Sequence, residues 1–127
     1  MDQKARRAAI TKGLKAGGAK PRRGHLRLQA GDLFWYVDVR AESPAPTAEL
    51  IFEVGAWLPA AGPEPDGGAI DCPVLADVRV GEDPGLATAD LLALISPGRD
   101  LGTLRALVES GTLPGALVDR QLRELWG

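Results

Sequence analysis

Residues 24–58, GHLRLQAGDLFWYVDVRAESPAPTAELIFEVGAWL, decide the fold of this chain. They hold two of its three Trp, its only Tyr and both Phe. Aromatic and β-branched side chains suit a pleated, half-buried surface, so the stretch reads as strands. His25 to Gln29 alternates, with Leu26 and Leu28 on one face and His25, Arg27 and Gln29 on the other. Ala30-Gly31-Asp32 is a tight turn in which Gly31 is free to take positive φ. Leu33 to Arg40 is a central strand. Leu33, Trp35, Val37 and Val39 share one face, and Phe34, Tyr36, Asp38 and Arg40 share the other. Pro44 and Pro46 interrupt the ladder, because proline has no N–H to give it. Glu49 to Leu58 is the third strand. Its apolar face is Leu50, Phe52, Val54, Ala56 and Leu58, with Glu49, Ile51, Glu53, Gly55 and Trp57 opposite.

Outward from this stretch, residues 59–71 (PAAGPEPDGGAID) make a loop of Pro, Gly and acids, long for a hairpin and expected to be mobile. Pro73 to Val80 is a fourth strand with Val74, Ala76, Val78 and Val80 inward. No crossover helix separates the strands, which predicts an antiparallel meander. Residues 2–16 read as a helix. Asp2 lies at its N-terminus and Lys12 and Lys15 near its C-terminus, each sign matching the helix dipole. Ala19 to Arg23 follows as a basic connector. Beyond Gly85 the pattern is helical: Thr88 caps ADLLALI, Asp100 caps LGTLRALVES, and Pro114 opens a last helix. Val118, Leu122, Leu125 and Trp126 form the apolar stripe of that last helix. The reading is one α+β domain over 1–127. A basic helix and linker occupy 1–23, a four-stranded antiparallel sheet 24–81, and helices 87–126, with the helices mainly on one sheet face.

A chain of 127 residues buries enough surface for one core without staples. Cys72 is the only cysteine, so an internal disulfide is excluded, which suits a reducing, cytoplasmic setting. Beside Pro73, it reads as a quiet structural thiol and not as a nucleophile. No secretory leader and no spanning helix are expected, because no apolar run approaches ~18 residues. Abundant Ala, Gly, Arg and Pro beside few Lys is a composition associated with GC-rich bacterial genomes.

PRRGHLRLQAGDLFWYVDVR followed by ELIFEVGAWLP sets out a recognisable series. A basic linker, a strand, a Gly-containing turn and an aromatic–aliphatic strand lead to a strand ending in a Gly-x-x-Leu-Pro-like turn. With the preceding helix and the stretch CPVLADVRVG, this pattern resembles the bacterial proteins grouped as domain of unknown function 4304. The resemblance spans about residues 5–81. It implies the fold and brings no activity and no catalytic residue with it.

Charge is unevenly spread. Residues 1–27 carry nine basic groups against Asp2 alone, net +8, while the other 100 residues carry six basic and sixteen acidic groups, net −10. The basic residues between 4 and 27 are candidates for phosphate contacts. No aromatic residue interleaves with them, however, and no nucleic-acid-binding motif is present. The sheet face carrying His25, Arg27, Phe34, Tyr36, Ile51, Trp57 and Arg79 is a second candidate, with Glu49 and Glu53 nearby. Tyr, Trp and Arg dominate binding hot spots. Such a surface requires Phe34 and Trp57 to be open to solvent. Glu49 and Glu53 lie about 13 Å apart along one strand. That is too far for a working carboxylate pair unless Asp38 or Asp77 approaches from a neighbouring strand. Leu122, Leu125 and Trp126 offer a helix-in-groove contact for dimerisation or for docking a partner. One His, no Ser or Cys constellation and no phosphate-cradling loop give no catalytic residue and no cofactor or metal site.

The leading reading is a non-enzymatic protein-interaction module of bacterial type, accessory or immunity-like. Its expected binding residues are Arg22, Arg23, His25, Arg27, Tyr36, Trp57 and Arg79. Its expected partner is a protein, an acidic one or a second copy in a homodimer, and no membrane. The alternatives are nucleic-acid binding through residues 4–27 and a small enzyme using strand carboxylates.

Overall fold

The computed structural model describes residues 2–127. Six strands form one sheet in chain order, and every neighbouring pair is antiparallel. They are β1 (Lys20–Arg22), β2 (His25–Ala30), β3 (Leu33–Ala41), β4 (Leu50–Trp57), β5 (Val74–Arg79) and β6 (Leu117–Val118). The α+β class and the meander are as expected. The sheet has two more strands than the four predicted, one at each edge.

Both additions have local causes. The expected basic connector is β1, joined to β2 by Arg23-Gly24, where both residues take positive φ, 53° and 82°. A two-residue turn of this kind has the twist that paired strands need. It places Arg23 in a conformation that sequence reading does not anticipate for arginine. At the other edge, Gly115 turns the chain at φ 60°, and Leu117 and Val118 pair with Leu75 and Val74. The last helix therefore does not open at Pro114. It is α4 (Arg120–Leu125), capped by Asp119, whose carboxylate accepts from the Leu122 N–H at 2.8 Å.

The other helices are α1 (Gln3–Ala16), α2 (Pro84–Ile95) and α3 (Leu101–Glu109). Asp2 caps α1, and Asp100 with Thr103 forms a capping box on α3. α2 starts at Pro84, not after Thr88, because Asp83 takes the cap and accepts from the Leu86 N–H at 3.0 Å. Thr88 is instead buried, and its hydroxyl donates to the Pro84 carbonyl at 2.7 Å.

The pleat carries the core as the alternation requires. Val37, Val54 and Ala76 are register partners across three strands, as are Val39, Phe52 and Val78. All six lie in one apolar cluster with Ile10 and Leu14 of α1, Leu91 and Ile95 of α2, Leu104 of α3 and Leu122 of α4. Fully burying a side chain of this size contributes about 1.5–3 kcal/mol, so this face dominates the stability. Gly98 is required here: a Cβ on it would lie 2.5 Å from the Trp35 ring, whose Nε1–H donates to the Gly98 carbonyl at 3.0 Å.

The opposite face is not bare. The 59–71 loop makes two short 3-10 turns, Pro59–Ala61 and Gly68–Asp71, and packs back over β3 and β4. Ala69 is fully buried there. Gly55 permits the approach, since a Cβ on it would sit 2.7 Å from the Ala69 carbonyl and the Cys72 side chain.

Candidate functional site

The second face gathers most of the polar side chains singled out from the sequence, around a residue that was not singled out. Glu64, carried over the sheet by the loop, accepts from Arg22 Nε at 3.1 Å and Nη2 at 2.7 Å, from Arg27 Nη1 at 2.5 Å, and from the Tyr36 hydroxyl at 2.7 Å. The bidentate Arg22 fork is the stronger geometry for a carboxylate. Hydrogen bonds from Arg22 and Tyr36 hold the Glu64 carboxyl down at about 2. Burial, and then the bond to Glu64, push the Tyr36 phenol up to about 12. Arg23 pairs with Asp66 on the same loop.

Beside this hub, His25 Nδ1 and Asp38 Oδ1 lie 2.7 Å apart, and Asp38 Oδ2 accepts from the Ala69 N–H at 2.9 Å. Asp38 thus fastens the second 3-10 turn to β3. Gly68 has no room for a side chain, because a Cβ there would strike both Asp38 and His25. Cys72 lies under the same turn. Burial, then the charges of Asp38 and Asp71, push its thiol up to about 12, which makes it a poor nucleophile.

Trp57 and Tyr36 do not form an open aromatic surface. Tyr36 is 1% exposed and Trp57 8%, because the loop lies over them. Trp57 Nε1–H donates to the Gly62 carbonyl at 3.1 Å, and its ring meets Phe34 with centroids 5.2 Å apart. The Arg27 guanidinium sits 4.6 Å above the Phe34 ring. Arg79 belongs to a different place. It pairs with Glu49 and Glu42 at the uncovered end of the face. Of the seven expected binding residues, Arg22, Arg27 and Tyr36 therefore converge on Glu64. His25 and Trp57 flank them under the loop, Arg23 lies at its rim, and Arg79 is apart.

The basic N-terminal segment is divided in the same way. Arg22, Arg23 and Arg27 face acids of the loop, while Arg6 and Arg7 donate to the Gly81 and Val39 carbonyls. Lys4, Lys12, Lys15 and Lys20 remain exposed. The strand carboxylates do approach: Asp38, Glu53 and Asp77 are register partners across β3, β4 and β5. Each already has a partner, however. Asp38 holds His25 and Ala69, and Arg40 spans Glu53 at 3.4 Å and Asp77 at 2.7 Å. Among the described residues, no three His, Cys, Asp or Glu side chains gather as a metal ion would require.

No family model, curated protein or solved structure matches the chain. Among the described residues, no helix is long and apolar enough to cross a membrane.

Sequence reading missed Glu64 and, apart from Leu125, the apolar side chains left outside. Leu117 of β6 and Leu86 of α2 are exposed, as are Ile70 and Leu125. The one signal for Glu64 was its place between Pro63 and Pro65 in a loop that also carries Asp66 and Asp71.

Proposed function

We propose that this chain is a non-enzymatic protein-interaction module, accessory or immunity-like, whose working surface lies along β5 and not over the aromatic centre of the second face. One observation carries the reading. Leu117 and Leu86, 69% and 59% exposed, stand at opposite ends of the same strand, one across the sheet from Leu75 and the other beside Val78 and Val80. A single exposed Leu is ordinary. Two that flank the edge of one strand, Leu117 on the loop side of the sheet and Leu86 on the helix side, resemble the apolar anchors of a partner that wraps that edge. The polar groups of the second face support this by being spent on one another, since Glu64 and Asp38 tie the loop down. A module of this type acts by occupying another protein's surface and needs no chemistry of its own.

The test is affinity capture on the immobilised full chain, with wild type beside Leu117→Asp and the Arg22→Glu/Arg23→Glu double variant. A protein retained by wild type and lost from Leu117→Asp is the expected result. If wild type retains nothing, or both retain the same set, the reading fails. Retention of nucleic acid, released steeply with salt, would move the assignment to residues 4–27.

A further inference from the structure

The outer side of β5 is only half covered. β6 pairs with Val74 and Leu75 and goes no further. The Val80 N–H donates to the Leu50 carbonyl at 3.1 Å, toward β4. Backbone groups alternate in direction along a strand, so those of Asp77 and Arg79 point away from β4. The Asp119 N–H, which donates to the Pro73 carbonyl at 2.8 Å on that outer side, fixes the same parity independently. Pro114 and Gly115 reach as far as Asp77 without a backbone bond to it. Two N–H and two carbonyl groups thus face outward without a strand partner among the described residues.

The other edge of the sheet is protected differently. β1 is three residues long, with Pro21 in the middle between Lys20 and Arg22. Proline and flanking charge blunt an edge against pairing. β5 has an N–H at every position, and a groove runs along its helix side. This groove, about 350 Å³, lies between β5 and α2. Val78, Leu86, Leu91 and Leu94 supply its apolar wall, and Glu82, Asp83 and Asp90 its rim. Arg79 is the one cation among the lining residues, and it is already paired with Glu49 and Glu42.

We propose that the open part of β5, Asp77–Arg79, receives an extended segment of another protein as an added strand, apolar where it faces the groove and bearing Lys or Arg where it meets the rim. This rests on the interaction-module reading and names its partner class. Main-chain bonds to Asp77 and Arg79 would supply affinity, and the groove and its acids would supply selectivity. The rim chooses the occupant: an acidic strand would set like charges against Glu82, Asp83 and Asp90.

The probe is a short fluorescein-labelled peptide of alternating Val and Thr ending in two Lys, titrated with the full chain by fluorescence anisotropy. A second peptide carries Glu in place of Lys. Two variants act on separate parts of the site. Leu86→Ser spoils the apolar wall at an exposed position in the first turn of α2 and leaves the charge of the rim unchanged. Arg79→Pro removes one outward N–H and leaves the ladder to β4 intact. Saturable binding of the Lys peptide, weakened about tenfold by each variant and absent for the Glu peptide, is expected. Binding of neither peptide, or binding of the Lys peptide equal in wild type and both variants, overturns the assignment. So does a concentration-dependent dimer in sedimentation that Leu86→Ser abolishes, for then the edge belongs to a second copy. Failure here alongside a captured protein that Leu117→Asp loses would refute this site alone. Failure of capture itself would refute the module.

Discussion

On one side of the sheet, Leu33, Trp35, Phe52 and Val54 are sealed by four helices; on the other, Tyr36 and Trp57 are sealed by one loop held down at Glu64. Burial is nearly equal at the two places. The forces are not. The helix side closes mainly by apolar area, spread over many residues of β2 to β6 and of all four helices. The loop side closes through a carboxylate shared by two arginines and a phenol, plus one aspartate on a backbone amide. Area is additive and tolerant, whereas a charge hub fails when one member is lost. The second face is thus a place where a single substitution or a pH change can uncover aromatic surface without unfolding the sheet.

The comparison breaks most visibly on the helix side. Phe52→Ala is expected to cost about 4 kcal/mol in urea unfolding, with every probe of structure lost together. Glu64→Gln should cost less, about 2 kcal/mol, because it removes charged hydrogen bonds and leaves two arginines short of a partner. Its effect should stay on the loop side and raise quenching of Trp57. Its pH dependence follows from sign. The Glu64 carboxyl is held at about 2 against an ordinary 4.5, so its contribution is present above pH 4.5 and is lost as pH falls toward 2. The Tyr36 phenol is held at about 12 against 10, so its contribution is present below pH 10 and is lost as pH rises toward 12. The urea midpoints of wild type and Glu64→Gln should therefore draw together between pH 4.5 and 2.

Smaller changes sharpen the same contrast. Gly55→Ala pushes a methyl against Ala69 and Cys72 and is expected to cost about 1–2 kcal/mol. It should lift the loop, and the Cys72 thiol should then react faster with a disulfide reagent. Glu49→Gln removes a carboxylate from the uncovered end of the face, where Arg79 is exposed. It should cost under about 0.5 kcal/mol. A Glu49 effect as large as that of Glu64 would show that the loop gives no shelter.

The sequence made the helix side legible because a period of two repeats across Leu33–Val39, Leu50–Leu58 and Val74–Val80, and each repeat is enforced by a neighbour. Asp100 was legible as a cap and Asp2 as an acid at a helix start, each from its place just before a helical run. The added edge strands were not: β1 contains Pro21 and turns on an arginine at positive φ, and β6 has only two residues, too few to show a period. The second-face hub was half legible. Arg22, Arg27 and Tyr36 stood out by type, but Glu64 is 28 residues from Tyr36, and no periodicity links a loop carboxylate to a strand hydroxyl. Missing Glu64 made an occupied face look like an open one. The apolar residues beside β5 went unnoticed because Leu86 and Leu117 look like core residues until the strand beside them proves half unpaired.

Native-state hydrogen exchange at the Ala69 amide tests the account most directly, since that N–H donates to Asp38 across the closed second face. In wild type at neutral pH it should exchange far more slowly than an exposed loop amide. In Glu64→Gln it should speed up by at least about tenfold while the Phe52 amide, in the middle of the sheet, keeps its rate. An Ala69 amide already fast in wild type, or one that changes in step with Phe52, would contradict a loop clamped separately from the core.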